Sequence, residues 1–174
     1  SLQQFLASTG VLGVGLYTSL ERFLIPFGLH HFVYAPFLYD SAVVDGGIKA
    51  FWVANLPEFA VAQGSLASIF PQGGFALTGM SKMFAPLGVC AAFYVTARPE
   101  RRKKVLALLI PVWITAMFTG ITEPLEFTFL FVAPILYVVH SILAGLMSAI
   151  TFACGISGDF SLGLIQNAAL NWIP

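Results

Sequence analysis

Charge is scarce in this sequence: eight basic and eight acidic side chains occur in 174 residues, 9% of the chain. Soluble domains carry about 25% charged residues, so there is too little polar surface here to coat a water-soluble globule. With 58% hydrophobic residues and a mean hydropathy of +0.88, the chain reads as one whose solvent is the bilayer. The formal net charge of zero gives no bias toward nucleic acid or an acidic partner. Cysteine is nearly absent. Cys90 and Cys154 stand far apart in apolar surroundings, outside any CxxC or metal-ligand spacing, and read as small buried hydrophobes. No Walker-type loop, Rossmann fingerprint, zinc spacing or Gly-x-Ser-x-Gly elbow occurs, so no cofactor or metal is called for. The opening residues do not read as a basic region, apolar core and small-residue cleavage site in signal-peptide order. The sequence opens on Ser1 straight into an apolar run and closes on Asn171-Trp172-Ile173-Pro174, which reads as an excerpt of a larger membrane protein.

What is present is a series of apolar runs interrupted at specific residues. Residues 1–20 hold no charge and are long enough for a membrane helix, which takes about 20 residues. Gly10, Gly13 and Gly15 within that run suggest close helix packing. After Glu21-Arg22, the stretch FLIPFGLHHFVYAPFLY is apolar but carries Pro26, Gly28 and Pro36, predicting a broken or re-entrant segment. Residues 40–82 form the most polar interval, with Asp40, Asp45, Lys49, Glu58 and Lys82 among Gly, Ser and Pro. They are expected as a loop with short helices outside the hydrocarbon. Residues 83–97 are apolar but short for a straight span. RPERRKK (98–104) holds five of the eight basic residues and, by the positive-inside rule, is expected to face the cytosol. Residues 105–122 are uncharged, and so are the 32 residues from Phe127 to Gly158, for which Pro134 and the Gly155–Gly158 region are the expected interruptions.

GITEPLEF (120–127) sets two acids, Glu123 and Glu126, between two of the most apolar runs. An ionised side chain at the bilayer centre costs about 2.5–3.5 kcal/mol on insertion scales, so such a residue faces a cavity, a partner or a substrate. Pro124 pushes Glu123 away from helical geometry, predicting a helix end or re-entrant tip over 118–128. Irregular backbone at membrane depth is tolerated where it lines a cavity. Glu123 is therefore the functional candidate. Glu126 falls in the first turn of the helix that Pro124 would start, and reads as a carboxylate held by backbone donors. A glycosidase pair is argued against by Pro124, which disrupts the i,i+3 spacing, and by both acids coming from one element. His30-His31 is the second candidate. On a helix the two would point roughly 100° apart, which argues against a shared metal ion but lets one face a cavity while the other bonds to the scaffold. His140, in YVVHSIL, reads as structural.

LERFLIPFGLHHFVYAPFLYD (20–40) and GITEPLEFTFLFVAP (120–134) together closely resemble the membrane-embedded IIC component of the bacterial sugar phosphotransferase system, in its glucose superfamily. YDSAVVDGGIKAFW (39–52), FPQGGFALTGMSKMF (70–84) and TARPERRKK (96–104) are most similar to the maltose and α-glucoside branch. The resemblance covers essentially the whole chain and corresponds to the C-terminal half of such a subunit. It implies an all-α polytopic membrane protein of the bacterial cytoplasmic membrane, a homodimer with broken or re-entrant hairpins. This part would belong to an elevator-type transport domain. It implies that Glu123 and Thr122 on the re-entrant tip, with His31 or His30 opposite, bind sugar hydroxyls, and that Glu123 orients or deprotonates the hydroxyl to be phosphorylated. A cytoplasmic IIB domain would supply the phosphoryl group from a phosphocysteine, fed through IIA, HPr and enzyme I. Neither Cys90 nor Cys154 has the polar, Arg-containing surroundings of that cysteine. Two other readings are a membrane sugar receptor or scaffold that does not translocate, and an ion-coupled sugar transporter in which Glu123 binds a proton or sodium. A linked IIB domain supports the first reading, absence of any IIB in the genome the second, and uptake driven by a proton gradient the third.

Overall fold

The computed structural model describes residues 2–173, and Ser1 and Pro174, the ends of the expected 1–174 unit, lie outside the described residues. Every regular element among the described residues is helical: α1 (Leu2–Ser8), α2 (Val11–Leu24), α3 (His30–Leu38), α4 (Gly47–Ala54), α5 (Leu56–Val61), α6 (Leu66–Ile69), α7 (Gly79–Thr96), α8 (Arg102–Thr119), α9 (Glu123–Val132), α10 (Pro134–Ala153) and α11 (Leu164–Asn167). Short 3-10 turns at Ile25–Phe27, Pro71–Ala76 and Pro99–Arg101 join some of them. Two stretches, Pro71–Thr96 and Pro134–Ala153, are long and apolar enough to cross a membrane. The outward faces of α10 are apolar too, with Ile135, Leu143 and Ile150 exposed. A helix that stays apolar where the protein does not cover it is suited to lipid or to further protein, not to water.

The first apolar run is not one helix. It breaks at Thr9-Gly10, where Gly10 takes φ 56°, a feature that a hydropathy window cannot register. α2 then runs through the Glu21-Arg22 pair before the chain turns at Ile25–Phe27. Pro36, an expected interruption, lies inside α3. It falls close to the helix end, so the one backbone bond it removes leaves only two more residues to carry. The expected interruptions farther on are both seen: α9 and α10 meet at Ala133-Pro134, and α10 ends before Gly155. Cys90 is half-buried, but Cys154 is exposed just past the end of α10, against the expectation that both are buried.

The interval 40–82 carries α4, α5 and α6 and a large share of the core. Phe51, Trp52, Phe59 and Phe70 stack with centroids 4.7–6.4 Å apart, and the Trp52 indole N–H donates to Leu170 O at 3.1 Å. A neighbouring trio, Tyr17, Phe37 and Phe75, ties α2, α3 and the Pro71–Ala76 turn together. Such ring pairs add about 0.5–1.5 kcal/mol each beyond the area they bury.

α2 packs along α10 more extensively than any other pair among the described residues. Their closest approach is at Gly15 and Gly145. A Cβ on Gly145 would lie 2.4 Å from Gly15 O and 1.9 Å from Ser19 Oγ, so only a residue without one fits there, as in small-residue contacts between membrane helices. Gly145→Ala is expected to lower the Tm of the full-length protein in detergent, at a cost of about 1–3 kcal/mol from overpacking. An unchanged Tm would contradict the contact.

Candidate functional site

Two chain reversals build the site. At the first, α2 carries Glu21 and Arg22, both buried, in its last turn, and the Pro26–Gly28 turn leads to α3 at His30. At the second, α8 ends at Gly120, which takes φ 81° and packs backbone against backbone on Gly163: a Cβ there would lie 2.8 Å from Gly163 N. Ile121 and Thr122 follow, and α9 begins at Glu123. The sequence leads to irregular backbone at Glu123 itself, but the irregular part is Gly120–Thr122. Pro124 sits in the first turn of α9, where its missing N–H has no partner to lose.

These reversals meet. His30, His31, Thr122 and Glu123 all line one cleft of about 130 Å³, together with Glu21, Tyr34, Lys82 and Ile121. Residues some 90 positions apart are thus brought to one small space. Their roles in it differ. His30 is buried, at 7% exposure, and its Nδ1 has no hydrogen-bond partner. His31 is exposed and its Nδ1 bonds the Tyr34 hydroxyl at 2.5 Å. Thr122 is buried, and its hydroxyl is engaged with Arg22 at 3.2 Å and Glu126 at 2.7 Å.

The acids sort by their partners. Of the eight, Asp40, Asp45, Glu58 and Glu100 are exposed. Three are buried, each with a cation: Glu126 with Arg22 at 2.5 Å, Glu21 with Lys82 at 3.2 Å and Asp159 with Lys49 at 3.2 Å. Glu123 is half-buried, its Oε2 is buried without a hydrogen-bond partner, and it makes no ion pair among the described residues. A buried acceptor without a partner costs about 1–3 kcal/mol, more when charged. Glu21, in the same lining, also has an unpartnered Oε2 but is neutralised by Lys82 through Oε1. Glu123 is therefore the acid of the cleft that can accept hydrogen bonds from an entering group without a cation beside it.

Glu126 is structural, but its carboxylate is held by side chains, not by the expected backbone donors. Arg22 and Thr122 donate to Oε1, and the Tyr137 hydroxyl lies 3.2 Å from Oε2. Arg22 also donates to Ser81 Oγ at 2.6 Å and Thr78 O at 3.2 Å, and the Tyr137 hydroxyl donates to Arg22 O at 2.6 Å. His140 packs edge-on against Phe129, away from the cleft lining. Sequence reasoning did not single out Glu21, Lys82, Lys49 or Asp159. One signal was available: each is a charge beside or within an apolar stretch, the same signal that singled out Glu123.

Apolar outer faces around a cleft lined by the buried polar residues Glu21, His30, Thr78, Thr122 and Ser161 are the features of a helical membrane protein with a polar interior. Residues 1–145 match the family described as "Phosphotransferase system, EIIC", and the chain belongs to that family. It is 53% identical over 174 residues to the "PTS system maltose-specific EIICB component" of Bacillus subtilis (strain 168), covering all of this chain and 33% of that protein. It is also 53% identical over 175 residues to the "PTS system alpha-glucoside-specific EIICB component" of Klebsiella pneumoniae, covering all of this chain and 32% of that protein. Against the "Phosphotransferase IIC component GlvC" of Escherichia coli (strain K12) it is 54% identical over 166 residues, 95% of this chain and 45% of that protein. The chain therefore spans a third to just under half the length of these curated relatives.

Removing one partner of the Arg22–Glu126 pair leaves a buried charge uncompensated, at a cost of about 3–5 kcal/mol. Arg22→Met is expected to destabilise the full-length protein by that order in reversible unfolding in detergent. The double variant Arg22→Met with Glu126→Leu is expected to lose less than Arg22→Met alone. Parental stability in Arg22→Met would contradict the buried pair.

Proposed function

We propose that this chain is the C-terminal part of one EIIC domain. In this reading the subunit sits in the bacterial cytoplasmic membrane and takes up an α-glucoside such as maltose, which a IIB domain phosphorylates. The observation that carries the reading is the pairing, in one cleft, of Glu123 and His30, each with a buried polar atom that has no partner. Membership of the EIIC family supports a sugar as the solute. The names of two of these relatives join the IIC and IIB letters in one component, which supports a IIB partner; in this reading that partner is fed through IIA, HPr and enzyme I.

A sugar suits this cleft because its hydroxyls both donate and accept. One hydroxyl donates to the Glu123 carboxylate and another pairs with His30 Nδ1, replacing the water that both groups have given up. Where the sequence leaves His30 and His31 open, we assign the contact to His30, because its Nδ1 is buried without a partner, whereas His31 is exposed and its Nδ1 is engaged by Tyr34. Thr122 acts one step back, holding the backbone of the Gly120–Glu123 turn through Arg22 and Glu126. In phosphoryl transfer, the sugar hydroxyl oxygen forms the new bond to phosphorus as the sulfur–phosphorus bond of the IIB phosphocysteine breaks. The hydroxyl proton passes to Glu123 as general base.

The reading includes motion. α9 has 10 residues, about 15 Å of helix against the roughly 30 Å of a bilayer core. That length and the Gly120 reversal support a re-entrant hairpin over 118–128. We take this hairpin to belong to an elevator-type transport domain in a homodimer, with the basic loop 98–104 toward the cytosol and the short helices α4, α5 and α6 of the interval 40–82 outside the hydrocarbon.

Equilibrium binding of labelled maltose to the full-length protein tests the site. Glu123→Gln and His30→Ala are each expected to weaken binding at least tenfold, about 1.4 kcal/mol, with the fold intact by thermal unfolding. Parental affinity in both variants would move the sugar site elsewhere, and no binding by the parent would remove maltose as the substrate.

A further inference from the structure

A second cavity lies on the other side of α9, and it differs from the cleft in every respect that bears on its ligand. It is a groove of about 580 Å³ between α7, α8 and α9, lined by Phe93, Val105, Leu108, Leu109, Val112 and Leu125 among others. No charged side chain lines it. On α8 the lining residues recur at i, i+3, i+4 and i+7, so they form one stripe along the helix. Leu108 within that stripe is 64% exposed. The groove therefore opens outward and is fitted for an apolar chain.

Its rim is strongly basic. Ala97 and Val105 both line the groove, and the residues between them in the chain are Arg98-Pro99-Glu100-Arg101-Arg102-Lys103-Lys104. Arg102, the first residue of α8, precedes Val105 by three residues on the stripe's side of the helix, and Arg101 caps that helix from the Pro99–Arg101 turn. Arg102 fixes the rim: it donates to Ala97 O at 3.3 Å and Val95 O at 3.2 Å, and its guanidinium lies 5.5 Å from the Tyr94 ring centre. Arg98, Arg101, Lys103 and Lys104 are exposed and make no ion pair or side-chain hydrogen bond among the described residues. Four cations at the mouth of an apolar groove have no counter-charge beside Glu100.

We propose that this groove binds an anionic phospholipid, with an acyl chain along the α8 stripe and the phosphate headgroup held by Arg98 and Arg101. A purely apolar occupant, such as another helix of the same protein, would fill the groove but leave the cations unanswered. A soluble acidic protein would answer the cations but not the groove. An anionic amphiphile satisfies both, and basic residues at a membrane surface attract anionic lipid in this way. The assignment does not depend on which solute the cleft takes.

The test uses the full-length protein with Leu108→benzoylphenylalanine, a photoreactive side chain in the exposed part of the stripe. The protein is irradiated in vesicles of phosphatidylethanolamine and phosphatidylglycerol, and the adducts are identified by mass spectrometry. Phosphatidylglycerol is expected among the adducts at about fivefold or more over its share of the vesicle. In Arg98→Gln with Arg101→Gln, both exposed positions, the adducts are expected to return to the vesicle composition while the Tm is unchanged. Adducts that match the vesicle composition in the parent, or that link Leu108 to another segment of the protein, to a second copy or to a IIB domain, would overturn the proposal.

Discussion

The fold around the cleft depends on one buried cation. Arg22, 1% exposed, reaches from α2 to Thr78 and Ser81 at the entry to α7 and to Thr122 and Glu126 at the start of α9, while Tyr137 of α10 closes the group. A guanidinium this far from water needs its charge matched and its donors occupied; Glu126 matches the charge and both terminal nitrogens are bonded, while Nε alone has no partner. Four helices are therefore fixed at one point. The start of α9 is part of that point, and Glu123 is the residue beside it in the chain. The same backbone turn that gives Thr122 to the ion pair turns the next side chain into the cleft. Rigid support one residue from a binding group is what a precise polar contact requires.

The charges also explain why Glu123 is distinctive. In an environment that penalises every ion, the chain pairs Glu21, Glu126 and Asp159 with cations and leaves Glu123 without one. The Lys82–Glu21 pair lies in the same lining and makes the cleft polar without adding net charge there. What enters is thus offered a carboxylate without a cation, Glu123, and the buried, unpartnered Nδ1 of His30.

Part of this was legible in the sequence. Glu123 stands out because a carboxylate between apolar runs needs a reason, and His30-His31 because the pair sits between a glycine turn and further apolar residues. Glu126 could be read as structural from its place in the first turn after Pro124. Its true partner could not, because Arg22 lies 104 residues away and no local pattern records such a contact. Lys82 and Glu21, 61 residues apart, were hidden for the same reason. The break at Gly10 escaped a hydropathy reading because a backbone angle carries no apolar signature. Which histidine has its Nδ1 engaged depends on Tyr34, one turn beyond His31, and which one is buried is not stated by the sequence.

The most direct test is a structure of the full-length protein with maltose bound. Sugar hydroxyls within hydrogen-bond reach of Glu123 and His30, with Arg22–Glu126 intact behind them, are the result expected here. Maltose bound outside this cleft, or within it but touching neither residue, would contradict it.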